Sequence, residues 1–253
     1  MTPSFPITQT SIFQLKEGIS LADTTSKIAS PAVKVFIQLK ETVKAQKGFI
    51  RQYWGHQVEN SQLFVWCSRI RSNNSLVTDW ESPEHHENFT ESEGYSAYIT
   101  SLGEIFYFEK ALPLTIYTKW SSDATAALKA PVTEIAFLTL PNGSPEEAKT
   151  ATEEVLGHVM TNVQAVGKAW GAAIGWVSKT TPSDHKAAAE GHHIALHGVF
   201  GYASIDDHMR WREAPEHAKA VKTMEELATK LHLDSADIYG TDMFHVAFYH
   251  PKS

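Results

Sequence analysis

Thirteen histidines stand among 253 residues, and their spacing decides what chemistry they can support. In the run His193-Ile194-Ala195-Leu196-His197-Gly198-Val199, strand alternation puts His193 and His197 on one face. At ~3.3 Å per residue the two are roughly 13 Å apart, too far to share a metal ion; HxxxH spacing serves a metal on a helix, not here. A central-strand histidine beside a cavity suits general-base work because its pKa lies near working pH, and a partly buried histidine bonded to backbone is the alternative. His158 falls in the apolar stripe of a helix, one turn from Val155 and Asn162. There it either meets a ligand held between helix and sheet or sits half-buried at a rim. His245 shares its strand face with Met243 and Ala247, and points into the cavity of the strand histidines or away from it.

His86 and His208 each lie four positions after a serine N-cap, Ser82 and Ser204. The positive end of a helix disfavours imidazolium, so a histidine there serves as a neutral donor or a base. The alternative is packing on Phe89 and Trp211. Trp54, Trp66, Trp80, Trp170, Trp176 and Trp211, with Tyr53 and Tyr202, either wall a pocket for a flat apolar ligand or fill cores. His185, His192 and His217 lie in polar contexts and read as solvated surface. Proton transfer is therefore assigned to His193, His197, His158 and His245. The substrate pocket is assigned to Trp170, Tyr202, His208, Trp211, His86 and Trp80.

No GxGxxG follows a strand, and there is no P-loop, GxSxG elbow or HExxH, so neither a cofactor nor a metal is expected. Cys67, the single cysteine, excludes an internal disulfide framework and a CxxC site. A net charge of -7 argues against nucleic acid and anionic membrane as partners, since both need a basic patch. With 42% hydrophobic and 20% charged residues the chain can bury a normal core. No apolar run approaches a membrane span, and no basic region precedes an apolar core at the N-terminus. The expectation is a soluble cytoplasmic protein with a small-molecule partner, compatible with homodimerisation.

The elements that must position these residues are written twice. Ser30-Pro31 and Ser144-Pro145 each open a helical pattern, Glu147 completing a capping box with Ser144. Trp54-Gly55 and Trp170-Gly171 follow. Trp80, Ser82, His86 and Phe89 then recur as Tyr202, Ser204, His208 and Trp211 at a constant offset. An internal duplication follows, with units over 1–120 and 131–253 and a linker over 112–130. Each unit reads strand-helix-strand-strand-helix-strand. In the second, strands are expected over 132–140, 172–179, 193–202 and 243–250, and helices over 144–166 and 204–231, the latter broken before Pro215. In the first, strands are expected near 10–16, 49–58, 63–79 with an interruption, and 104–110. The fold class is α+β: two tandem ferredoxin-like (βαββαβ) units packed sheet-to-sheet as a pseudo-dimeric α+β barrel.

The strand ending in Trp80-Glu81-Ser82 before His86 and Phe89, its echo at Tyr202-Ala203-Ser204 before His208 and Trp211, and Trp54-Gly55 before Gln57-Val58-Glu59 resemble the dimeric α+β barrel superfamily. The likeness is to antibiotic-biosynthesis-monooxygenase-like domains of fungal type. The resemblance implies secondary metabolism: a cofactor-independent monooxygenase of a small aromatic or polyketide-like metabolite. It implies equally a cyclase, isomerase or decarboxylase, a haem-binding protein, or a non-catalytic binding or stress-response protein on the same scaffold. One departure is Cys67-Ser68-Arg69-Ile70-Arg71-Ser72-Asn73-Asn74-Ser75, polar and without alternation, either a loop or bulge at the third strand or an inserted sequence such as a retained intron. It favours the second unit as the place for chemistry. There, a histidine would remove a C–H or phenolic proton, and the enolate or phenolate would react with O2, cyclise, isomerise or lose a group.

Overall fold

A computed structural model describes residues 7–21, 30–46, 49–70, 92–108, 114–141, 143–180, 193–230 and 243–249. The chain divides into two compact units, Met1–Lys119 with Ser178–Asp184, and Trp120–Val177 with His185–Ser253.

The first unit contains β1 (Ile7–Leu15), α1 (Pro31–Lys44), β2 (Phe49–Gln57), β3 (Leu63–Ile70), α2 (Glu93–Ile105), β4 (Phe106–Tyr107) and β5 (Leu114–Trp120). β3 pairs antiparallel with β2 and β1, and the other edge of β1 takes β5 along most of its length and β4 at its end. Ser30 caps α1 by accepting from Val33 N, with Pro31 as its first residue. The buried side of α1 carries Val33, Phe36 and Leu39. Phe36 meets Phe64, Trp66 and Trp54 edge-on at 5.2, 5.3 and 6.1 Å. The Lys40 ammonium lies 3.9 Å from the Trp54 ring. The tryptophans of β2 and β3 are therefore core, and Trp66 Nε1 donates to Gln52 Oε1 at 3.2 Å.

The second unit contains α3 (Thr125–Leu128), β6 (Val132–Pro141), α4 (Glu146–Ala165), β7 (Gly171–Thr180), β8 (His193–Tyr202), α5 (Ile205–Arg212), α6 (Pro215–Lys230) and β9 (Met243–Tyr249). Its antiparallel strands run in the order β9-β6-β8-β7. Ser204 caps α5 by accepting from Asp207 N, and the chain breaks again before Pro215, which cannot continue the α5 hydrogen-bond ladder. Gly171 and Gly201 face each other in register, and α3 lies directly on them. A Cβ on Gly171 would stand 2.6 Å from Ala126 Cβ, and one on Gly201 2.6 Å from Ala130 Cβ and 2.8 Å from the Ala127 backbone. Thr133 Oγ1 donates to the Ala127 carbonyl at 2.8 Å, fixing α3 to β6.

Four sequence expectations change. The linker expected over 112–130 contains β5 and α3 instead, because Leu114-Thr115-Ile116-Tyr117-Thr118 is a β-branched and aromatic strand that Pro113 and Ser121 merely bracket. The capping box at Ser144 does not form: Pro145 is the N-cap of α4, and the Ser144 hydroxyl turns back to donate to the Pro141 carbonyl at 2.8 Å. The two Trp-Gly landmarks are not equivalent, since Trp54 is buried inside β2 and Trp170 lies exposed just before β7. The interruption expected after Cys67 falls partly inside β3, which continues to Ile70. Residues 71–75 lie outside the described residues, as do Trp80 and His86. No helix among the described residues is long and apolar enough to cross a membrane.

Candidate active site in the second unit

A cavity of about 370 Å³ opens between the sheet of the second unit and its helices. Periodicity explains its walls. Glu134, Ala136 and Leu138 alternate along β6, and Leu196, Gly198, Phe200 and Tyr202 along β8, so one face of each strand forms the floor. From the helices come Leu156, Val159 and Val163 of α4, His208, Trp211 and Arg212 of α5, and His217, Ala220, Val221 and Met224 of α6, each set at helical spacing. Trp211 is held in place by the end of α4. A Cβ on Gly167 would lie 3.2 Å from the Trp211 side chain and 2.7 Å from the Val163 carbonyl, so glycine is needed for the approach. Lys168 then turns the chain at φ 54°, and Ala169 N donates to the Val163 carbonyl.

The polar corner of this apolar cavity is a chain of four side chains. Tyr202 donates its hydroxyl to Glu134 Oε2 at 3.3 Å, and His208 Nε2 lies 3.4 Å from the same oxygen. His208 Nδ1 is 2.7 Å from His245 Nε2. Register explains the meeting: Glu134 and His245 are direct partners across β6 and β9, and β8 brings Tyr202 to the same end. Tyr202 stacks on His208 at 4.9 Å, and His208 lies against His245 at 4.8 Å. Glu134, Tyr202 and His208 are all buried. Burial, and then the neighbouring Glu134, hold the Tyr202 phenol far above its ordinary pKa, so it stays a neutral donor. With Glu134 accepting from His208 Nε2–H, His208 Nδ1 is left as the acceptor, and His245 Nε2 is assigned the proton. Two nitrogens on one tetrahedral zinc would stand about 3.3 Å apart, so the 2.7 Å contact is a hydrogen bond, not a pair of metal ligands. Among the described residues no group of three acidic, histidine or cysteine side chains is arranged for a metal.

The structure thus brings Tyr202, His208, His245 and Trp211 together at one end of the unit, with His245 behind His208 rather than on the cavity wall. His158 does not join them: it is exposed, on the side of α4 turned from Val159 and Val163. Trp170, 55% exposed, also lies outside the cavity. His197 is fully buried on the opposite face of β8, stacked on Phe137 at 4.9 Å and beside Trp120. Burial pushes its pKa down to about 3, so it is neutral and packed. His193 opens β8 opposite Pro141, and its side chain lies outside the described residues. His217, expected at the solvated surface, instead lines the cavity and meets the Trp211 ring edge-on. Glu134 is the residue that the search for histidines passed over. Its signal was a lone carboxylate in Val132-Thr133-Glu134-Ile135-Ala136-Phe137-Leu138, on the alternating face that runs to Ala136 and Leu138.

No protein-family model matches the chain, and no curated protein matches it in sequence. Solved structures match its fold nearly end to end. An anthrone oxidase-like protein aligns over 98% of this chain and 93% of its own, at 13% identity and a TM-score of 0.59. A "putative monooxygenase" from Lactobacillus acidophilus aligns over 96% and 94%, at 7% identity and 0.53. A "putative chlorite dismutase" aligns over 97% and 95%, at 10% identity and 0.51. Likeness at such identities is likeness of fold, and the chemistry has to be argued from the site.

Proposed function

We propose that the protein is a monooxygenase-type enzyme of the antibiotic-biosynthesis-monooxygenase-like kind, built from two tandem ferredoxin-like units, and that the second unit oxidises an enolisable aromatic substrate without a cofactor. The observation that carries this reading is the Glu134–His208–His245 chain at the polar corner of an otherwise apolar cavity. Folds shared with proteins named as monooxygenases and as anthrone oxidase-like support it.

The substrate ring lies on Phe200 and Trp211 and presents an acidic C–H or O–H to His208. As the His208 ring tilts toward the cavity about its Nε2 contact with Glu134, Nδ1 leaves His245 and accepts the substrate's proton. The Glu134 carboxylate at Nε2 orients the ring and stabilises the imidazolium, while Tyr202 holds the carboxylate. The carbanion or phenolate passes one electron to O2, and the radical pair combines to a peroxide that recovers the proton from His208. Loss of water leaves a carbonyl: one oxygen atom enters the product, the other departs as water, and the substrate supplies both electrons. The apolar walls keep bulk water from quenching the anion.

Anthrone tests this directly, since its CH2 lies between two aryl rings and its oxidation consumes one O2 and yields one anthraquinone and one water. We expect oxygen uptake matched by quinone, with His208→Gln and Glu134→Gln each lowering turnover ~10²-fold or more. Wild-type uptake no faster than the spontaneous reaction would exclude anthrone oxidation. Turnover unchanged in both variants would remove the proton-transfer assignment.

A further inference from the structure

The cavity has a second polar corner, and its sign is opposite to the first. Arg212 and His217 both line the wall. Arg212 follows His208 by one turn of α5, about 6 Å along the axis. His217 stands in the first turn of α6, its ring 5.6 Å from that of Trp211. Helix polarity alone does not account for Arg212. The last turn of α5 holds two arginines, and the negative helix end would be served by either. Arg210 faces outward and is paired with Asp207, whereas no ion pair among the described residues involves Arg212. The charge of Arg212 is felt at His217, whose pKa is lowered by burial first and by Arg212 second. One permanent cation, Arg212 at the exposed rim of the cavity, thus stands beside a histidine held neutral that can still donate a hydrogen bond, in a chain whose net charge is -7.

Resting on the reading of this cavity as the substrate site, we infer that Arg212, with His217 beside it, binds an oxyanion substituent of the substrate, in the simplest case a carboxylate. The cavity is then a site for an aromatic acid whose anionic group lies about one helical turn from the position deprotonated at His208. A guanidinium suits this role, since it presents a planar fork of donors and keeps its charge throughout the pH range.

A matched pair of fluorescent probes separates the charge from the ring. 1-Anilinonaphthalene-8-sulfonate carries an oxyanion; N-phenyl-1-naphthylamine is the same skeleton without it. We expect the wild-type protein to bind the sulfonate the more tightly, against its own net charge. Arg212→Gln should weaken the sulfonate roughly tenfold or more and leave the neutral probe unchanged. Arg212→Lys should recover part of the loss. Arg210→Gln, the same change of charge on the outward side, should alter neither. Ala136→Trp, which fills the cavity floor, should abolish both and so places the probes. Equal effects of the Arg210 and Arg212 variants, or a sulfonate affinity that ignores Arg212, would overturn the inference while leaving the substrate site intact. Failure of both probes to bind, or binding that survives Ala136→Trp, would overturn it together with the reading on which it rests.

Discussion

His197 shows at residue scale how the same side chain serves packing in one place and joins a buried polar chain in another. Between the Phe137 and Trp120 rings it is held neutral, with its pKa pushed down to about 3. An unfolded histidine titrates near 6.5, so below that pH the unfolded chain binds a proton that the folded chain refuses. Stability contributed by a neutral His197 is therefore intact above about pH 6.5 and falls as the pH drops toward 3. Between pH 6.5 and 5 the loss is about 2 kcal/mol. His197→Phe should reduce the acid sensitivity of urea unfolding by about that amount over this window, and an unchanged pH slope would show that the imidazole titrates in the folded state. His208 and His245, 11 and 48 positions further along and of the same type, hydrogen-bond each other. That distinction was not legible in the sequence. Composition and spacing flagged all of these histidines, but what separates them is which face of β8 or β9 meets the helices and whether a carboxylate stands opposite. Glu134 decides the second point, and only cross-strand register reveals it.

At the scale of elements, the second unit was the more legible. Strand alternation placed β8 at 193–202, and Pro215, the first residue of α6, marked the break between α5 and α6. β5 was missed because turn residues on either side outweighed five good strand residues, and α3 because one helical turn leaves no period to detect. The contact of α3 with the sheet rests on a glycine pair rather than on apolar side chains, which is why hydrophobic patterning gave no sign of it. Gly201→Ala would drive a methyl group into Ala127 and Ala130, where the nearest atoms include backbone that cannot turn aside. A loss of about 1–3 kcal/mol in thermal or urea unfolding is expected. Gly198→Ala offers the contrast. Its Cβ meets the far edge of the Phe200 ring, 2.9 Å away, so that ring can yield into the cavity and the cost should be smaller. Equal losses in the two variants would mean that α3 is not the rigid neighbour.

At the scale of the molecule, the two units share one strand order while using the space beneath their helices differently. In both, the first strand lies between the third strand and the last. Under α1 of the first unit, Phe36, Trp54, Phe64 and Trp66 pack edge to face around one another. Beneath the helices of the second unit, Ala136 and Gly198 stand on the sheet and leave a cavity. The first unit carries 16 Phe, Trp and Tyr residues and the second 11, and the small residues on the second unit's sheet widen that difference into a cavity. The abundance of tryptophan was visible in the sequence, but its division between packing and pocket was not.

The Glu134–His208–His245 chain also has a kinetic consequence. Its members arrive from a first strand, a helix and a last strand. Tyr202 is 68 positions from Glu134, and His245 37 from His208. No local turn or hairpin can assemble such a cluster, because each contact closes a long loop and the entropy of that closure is met only when the whole sheet is in register. Helices can form before then, but the imidazole–imidazole hydrogen bond cannot. During refolding from urea, Trp211 emission and probe binding should therefore rise later than the far-ultraviolet helical signal. Simultaneous recovery of all three would mean that secondary structure and site form in a single cooperative step. A chain arrested before β9 docks would be helical and partly ordered, with His208 lacking its His245 partner, so the last strand to pair is the one that completes the polar chain.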